Sequence, residues 1–81
     1  MKIGGLKDLF PFLNFLRKER IHFELDYERD DAIMVTLTVV GARIEVEFFD
    51  DHIEFSVFEG DESVDDDADR LFRIIRERWH E

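Results

Sequence analysis

The chain contains no cysteine, which excludes a thiol nucleophile, an iron–sulfur cluster, a zinc knuckle and a disulfide scaffold, and makes the reducing cytoplasm the expected compartment. Proline occurs once and glycine four times. No Pro- or Gly-rich linker is present, and Gly4-Gly5 is too short, with no strand before it, to be a phosphate-binding loop. Long apolar runs are missing as well. The longest uncharged stretch, Ala32 to Ala42, has eleven residues, and the next, Leu9 to Leu16, has eight; neither is long enough to span a bilayer, and neither membrane insertion nor export is expected. Positive charge is scarce, with 11 lysines and arginines against 21 acidic residues and a formal charge of -10. Residues 21 to 69 alone carry -15, which argues against a nucleic-acid surface, because phosphate is read by lysine and arginine.

What is present is 81 residues, read as a single domain over residues 1–81 that buries about 60 to 65% of its surface in one thin core. Asp8 is placed to cap a helix whose first turn is Leu9, Phe10 and Pro11, where proline is tolerated because those amides have no intrahelical partner. Leu9, Phe12, Leu13 and Leu16 share one stripe of that helix, and Arg17, Lys18 and Arg20 suit its negative end. Phe10 and Phe15 fall beside the stripe and either widen the buried face or meet a second chain.

From Ile21 the period changes from 3.6 to 2. Ile21, Phe23, Leu25 and Tyr27 alternate with polar residues, as in a strand buried on one side. Further strands are expected near residues 32 to 40, 43 to 49 and 53 to 59, after the first near 21 to 28. Arg29-Asp30-Asp31, Gly41-Ala42 and Asp50-Asp51, or one residue more at the last, form the turns between them. Gly41-Ala42 is read as a type II-prime loop pairing Val40 with Arg43. Ser63 reads as the cap of a second helix with Val64, Asp65 and Asp66 in its first turn, and Val64, Ala68, Leu71, Phe72, Ile75 and Trp79 recur at helical spacing along it. The fold class is therefore α+β, an α-β-β-β-β-α chain with a four-stranded antiparallel meander and both helices packed on one face.

The other sheet face is left to water, and its rows read His22, Thr38, Glu45, Ser56, then Glu24, Thr36, Glu47, Glu54, then Asp26, Met34, Phe49. Glu47 stands opposite Glu54, a like-charge pair that stability alone would avoid. No catalytic triad, calcium loop or cofactor motif accompanies these acids, so no cofactor is expected, and an open face lacks the water-excluding pocket that acid–base chemistry needs. Ser63 is better explained as a cap than as a nucleophile, and His52 and His80 as turn and terminal residues.

The stretch Arg29-Asp30-Asp31-Ala32-Ile33-Met34-Val35, followed by Glu45-Val46-Glu47-Phe48-Phe49-Asp50-Asp51, resembles a group of short acidic bacterial proteins with no assigned activity, over roughly residues 9 to 72. The resemblance implies a helix, four antiparallel strands and a closing helix, and it carries no functional residue. The chain departs from the group in having Val40-Gly41 at a Pro-Gly turn, Ile44 at a tryptophan and His52 at a turn glycine. The functional expectation is a non-enzymatic module that offers the strand face and the Arg29-Asp30-Asp31 turn to a basic protein partner, in the manner of an inhibitor, immunity protein or adaptor. Glu24, Glu45, Glu47 and Glu54 would steer that partner, and Met34, Phe49 and Phe58 would supply apolar area. The alternative is a structural homodimer through Phe10, Phe15 or the edge strand near Phe58. A metal-dependent hydrolase using Glu45, Glu47, Glu54 and His22 ranks last.

Overall fold

A computed structural model of the chain describes residues 2–58 and 64–79, apart from the side chains of Val64 and Trp79. A single 3-10 turn, Leu6–Asp8, leads into helix α1, Leu9–Lys18. Four antiparallel strands follow in a meander: β1 Phe23–Arg29, β2 Ala32–Val39, β3 Ala42–Phe49 and β4 Ile53–Phe58. A two-residue strand, β5 Val64–Asp65, pairs with β4, and helix α2, Ala68–Trp79, closes the chain.

Both helices lie on one face of the sheet. Phe12 of α1 places its ring 5.4 Å from Phe48 of β3 and 5.8 Å from Phe72 of α2. Val35, Leu37, Ile44, Val46, Phe48 and Phe55 complete the buried layer, with Leu71 and Ile75 of α2 above them. The alternation in β2, β3 and β4 thus points inward as the hydrophobic pattern requires. In β1 it does not. Leu25 and Tyr27 are 50% and 67% exposed, because β1 is the open edge of the sheet and its apolar residues outrun the cover above it.

The helix ends differ from expectation in instructive ways. Asp8 precedes α1 but makes no side-chain cap; its Oδ2 accepts the Gly4 amide at 2.7 Å instead. At the other end Ile21 N–H donates to Leu16 O at 2.9 Å and Arg20 N–H donates to Arg17 O at 3.0 Å. That is the Schellman pairing, and it forces Arg20 to φ 62, where glycine is usual. Ser63, expected to cap α2, lies outside the described residues, as does Glu59 of the expected β4. Val64 and Asp65 are in a strand rather than a first helical turn. The cap is Asp67, whose Oδ1 accepts the amides of Asp69 at 3.0 Å and Arg70 at 3.3 Å. Asp65 is turned back to receive the Asp67 amide and the Arg70 guanidinium, which together hold its carboxyl below the usual range.

Two register features set the outer face. The β2–β3 loop is Val40-Gly41 rather than Gly41-Ala42, so Val39 pairs with Ala42 and Thr36 with Glu45. Gly41 takes φ 76 as the second loop residue, which a side chain would resist. In β1 the pairing shifts between Asp26, opposite Met34, and Arg29, opposite Ala32. This bulge inserts one residue, and it turns Arg29 onto the outer face, away from the inner face that its odd position implied.

The sheet edge beside β4 is covered at Phe55 and Ser56 by β5, so the expected free edge near Phe58 is partly closed. Phe15 packs edge-on against Phe72, centroids 5.4 Å apart, which leaves Phe10, 75% exposed, as the outward aromatic of α1. Charge sorts by layer. The helices carry Arg17, Lys18, Arg70, Arg73, Arg76 and Arg78 against Asp69 and Glu77, whereas the strands and hairpins of residues 23–58 hold ten acids and only Arg29 and Arg43.

Candidate functional site: the acidic hairpin end of the outer sheet face

Ala32 pairs with Phe49, so the β1–β2 turn at Asp30-Asp31 and the β3–β4 turn at Asp50-Asp51 lie side by side at one end of the sheet. Asp26, Glu28, Glu47 and Glu54 stand on the strands that run into it. Within this concentration of acid sit one arginine, one aromatic ring and one imidazole.

Arg29, delivered by the bulge, reaches Asp31 through Nε at 3.3 Å and Glu47 through Nη1 at 3.6 Å, while its Cζ lies 5.1 Å from the centre of the Phe49 ring. His52 stacks on the same ring, centroids 4.5 Å apart and planes 1° from parallel. Its two ring nitrogens face Asp51 Oδ1 at 2.8 Å and Glu54 Oε2 at 3.1 Å. Those contacts push the imidazole pKa above its ordinary value, with the Asp51 hydrogen bond the larger cause, and the same bond draws Asp51 down. Phe49, expected to be an exposed contact residue, is therefore 8% exposed. It is roofed by two side chains and is not free surface.

The geometry explains how Glu47 and Glu54 stand opposite each other, as the register predicted. Each carboxylate is turned to a different partner, Glu47 to the Arg29 guanidinium and Glu54 to the His52 imidazole. A second, smaller unit of the same design occupies the far end of the face, where Arg43 contacts Glu45 at 3.6 Å and lies over Phe58 at 4.7 Å. Phe58 is half-buried beneath it. Met34 is also half-buried and lines a recess of about 60 Å³ with Asp26, Glu28, Arg29, Ala32 and Glu47.

The rows of the outer face differ from expectation by two residues across β2 and β3. Glu24, Thr36, Glu45 and Ser56 form one row, and Asp26, Met34, Glu47 and Glu54 form the next. His22 is thus opposite Thr38 and Arg43 and away from Glu45; its nearest carboxylate is Glu24 at 3.8 Å, and both are widely exposed. Among the described residues no three histidine, aspartate or glutamate side chains converge closely enough to hold a metal ion, and the set His22, Glu45, Glu47 and Glu54 is not brought together. His52 and Arg43 were missed by sequence reasoning. The spacing Asp51-His52-x-Glu54, with acid on both sides of an imidazole at a turn, was the available signal.

The turn is supported from behind by the N-terminal segment. A Cβ on Gly5 would sit 2.5 Å from Asp50 O and 3.0 Å from Phe49 O, so the glycine allows that segment to lie against the turn backbone. No described helix is long and apolar enough to cross a membrane. Set beside described protein families, curated proteins and solved structures, the chain matches none of them.

Proposed function

We propose that the chain is a non-enzymatic protein-binding module, of inhibitor, immunity or adaptor type, whose acidic hairpin end and outer sheet face receive a basic protein surface. The observation that carries this reading is the state of Asp26, Glu28, Asp30 and Asp50. All four are exposed, all lie at the same end of the sheet, and none is in an ion pair with a described residue. Arg29 and His52, the basic side chains within the site, are already committed to Asp31, Glu47, Asp51 and Glu54. The remaining carboxylates are thus available to lysine or arginine from outside, and their clustering would speed encounter and set orientation.

Arg29 is proposed as the organiser of the site rather than as a contact in its own right, since it holds Phe49 covered and Glu47 in place. Glu24 and Glu45 extend the negative field along the face, and Met34 offers the apolar floor of the recess. Affinity capture at low salt tests the reading, with the wild type compared against an Asp26→Asn, Glu28→Gln, Asp30→Asn variant. The expected outcome is a basic protein retained by the wild type, released by added salt and lost with the variant. Equal retention by both chains would rule the acidic end out as the binding surface.

A structural homodimer is the second reading, favoured by exposed Leu25 and Tyr27 on the open edge β1. A sedimentation mass that stays monomeric at micromolar concentration would remove it.

A further inference from the structure

The helical layer holds a feature of the opposite chemistry. Between α1 and α2 runs an open groove of about 290 Å³ lined by Phe15, Asp69, Phe72, Arg73 and Arg76. Its floor is aromatic, the Phe15 and Phe72 rings meeting edge to face with centroids 5.4 Å apart and planes at 80°. Phe72 is nearly fully buried and Phe15 partly so, which makes the floor a fixed part of the core. The rim is set by helical periodicity, since Asp69, Arg73 and Arg76 fall on one side of α2 at spacings of four and three.

The two rim arginines differ from the others on the sheet and at the start of α2. Arg29, Arg43 and Arg70 each have a carboxylate partner. Arg73 and Arg76 have no ion pair or hydrogen bond with a described residue, although the chain carries 21 acidic residues. Two guanidinium groups uncommitted to any described residue, above an aromatic floor, complement a ligand with an apolar body and a single negative charge.

We propose that this interhelical groove binds small amphipathic organic anions, the class in which one aromatic or branched aliphatic group carries one carboxylate. The apolar body would rest on Phe15 and Phe72, and the carboxylate would accept hydrogen bonds from Arg73 and Arg76. Asp69 at the same rim disfavours a second negative charge. The volume lies just below the range of typical small-molecule sites, roughly 300 to 1,000 Å³, and so suits one ring with a short acid arm rather than a fused ring system or a peptide.

Amide-resolved NMR titration of the full chain tests this with three probes that share a body: phenylacetate, phenylacetamide and 2-phenylethylammonium. Saturable shifts from phenylacetate confined to the amides around Phe15 and from Asp69 to Arg76 are expected. Phenylacetamide should bind about tenfold more weakly, because the charge-assisted hydrogen bonds are lost. The cation should not saturate. In an Arg73→Gln, Arg76→Gln variant, whose substitutions are exposed and leave the core intact, the acid should fall to the level of the amide. Equal affinity of acid and amide, or shifts spread over the surface, would overturn the proposal. So would the same shifts appearing on concentrating the protein without probe, which would assign the groove to a second copy of the chain.

Discussion

At Phe49 an outward strand position has become buried because Arg29 and His52 lie on its ring. Truncating a core ring removes transfer energy and leaves a cavity, so Phe48→Ala should cost about 3 to 5 kcal/mol. Phe49→Ala should cost about half as much, because flexible, half-exposed side chains can settle into the space and keep their water. Urea denaturation of the two variants checks this, and a Phe49 cost under about 0.5 kcal/mol would mean its cover contributes nothing. His52 makes the same site sensitive to acidity. Its folded pKa is raised above 6.5 by Asp51 and Glu54, so its contribution is complete below that value and is lost as pH rises through the folded pKa. Asp51, lowered from 3.8 mainly by His52, contributes above that value and loses its part as pH falls through its own folded pKa. Wild type should therefore exceed His52→Gln in denaturation midpoint by more at about pH 5.5 than at about pH 9. An equal gap at both would show that the imidazole acts only as a flat surface for Phe49.

The helices and strands show which parts of the fold local sequence determines. The Leu9–Leu16 stripe and the alternation of β2 to β4 were legible because each apolar residue has one face to occupy. The β2–β3 register was not, because a slip of two residues keeps every side chain on its own face and no burial pattern can detect it. The observed pairing joins every residue of β2 to one of β3, from Ala32 with Phe49 to Val39 with Ala42. The expected pairing would have set Ile33 and Ala32 opposite Asp50 and Asp51, in the turn. The bulge was equally invisible: it depends on how β1 meets its neighbour, and it alone brings Arg29 to Phe49. The α1 terminus exposes a local conflict, since Arg20 holds φ 62 to complete the Schellman pairing while Leu16 and Ile21 stay buried. Arg20→Gly should raise stability by about 1 kcal/mol by relieving that left-handed conformation. A thermal scan showing a loss would mean the arginine side chain makes a compensating interaction.

For the molecule as a whole, the acid count and the open outer face were readable from composition and period, whereas the committed state of Arg29, Arg43 and His52 was not, because it depends on neighbours supplied by other strands. Most of the -10 charge is crowded into the sheet layer, so screening should favour the folded state. Raising sodium chloride from about 0.05 to about 0.5 M should add about 1 kcal/mol, or roughly 4 to 8 °C in Tm for a domain of this size. A fall in Tm would show that the ion pairs of Arg29, Arg43 and Arg70 outweigh the repulsion.

The sorting of charge by layer has a consequence for motion through solution. With cationic helices on one side and an anionic sheet on the other, the molecule has a direction as well as a net charge. Near a positively charged body it experiences a torque that swings the sheet face forward and the helices back, effective within about 10 Å at an ionic strength near 0.1 M. An approaching basic surface would thus tend to meet the outer sheet face before the helices.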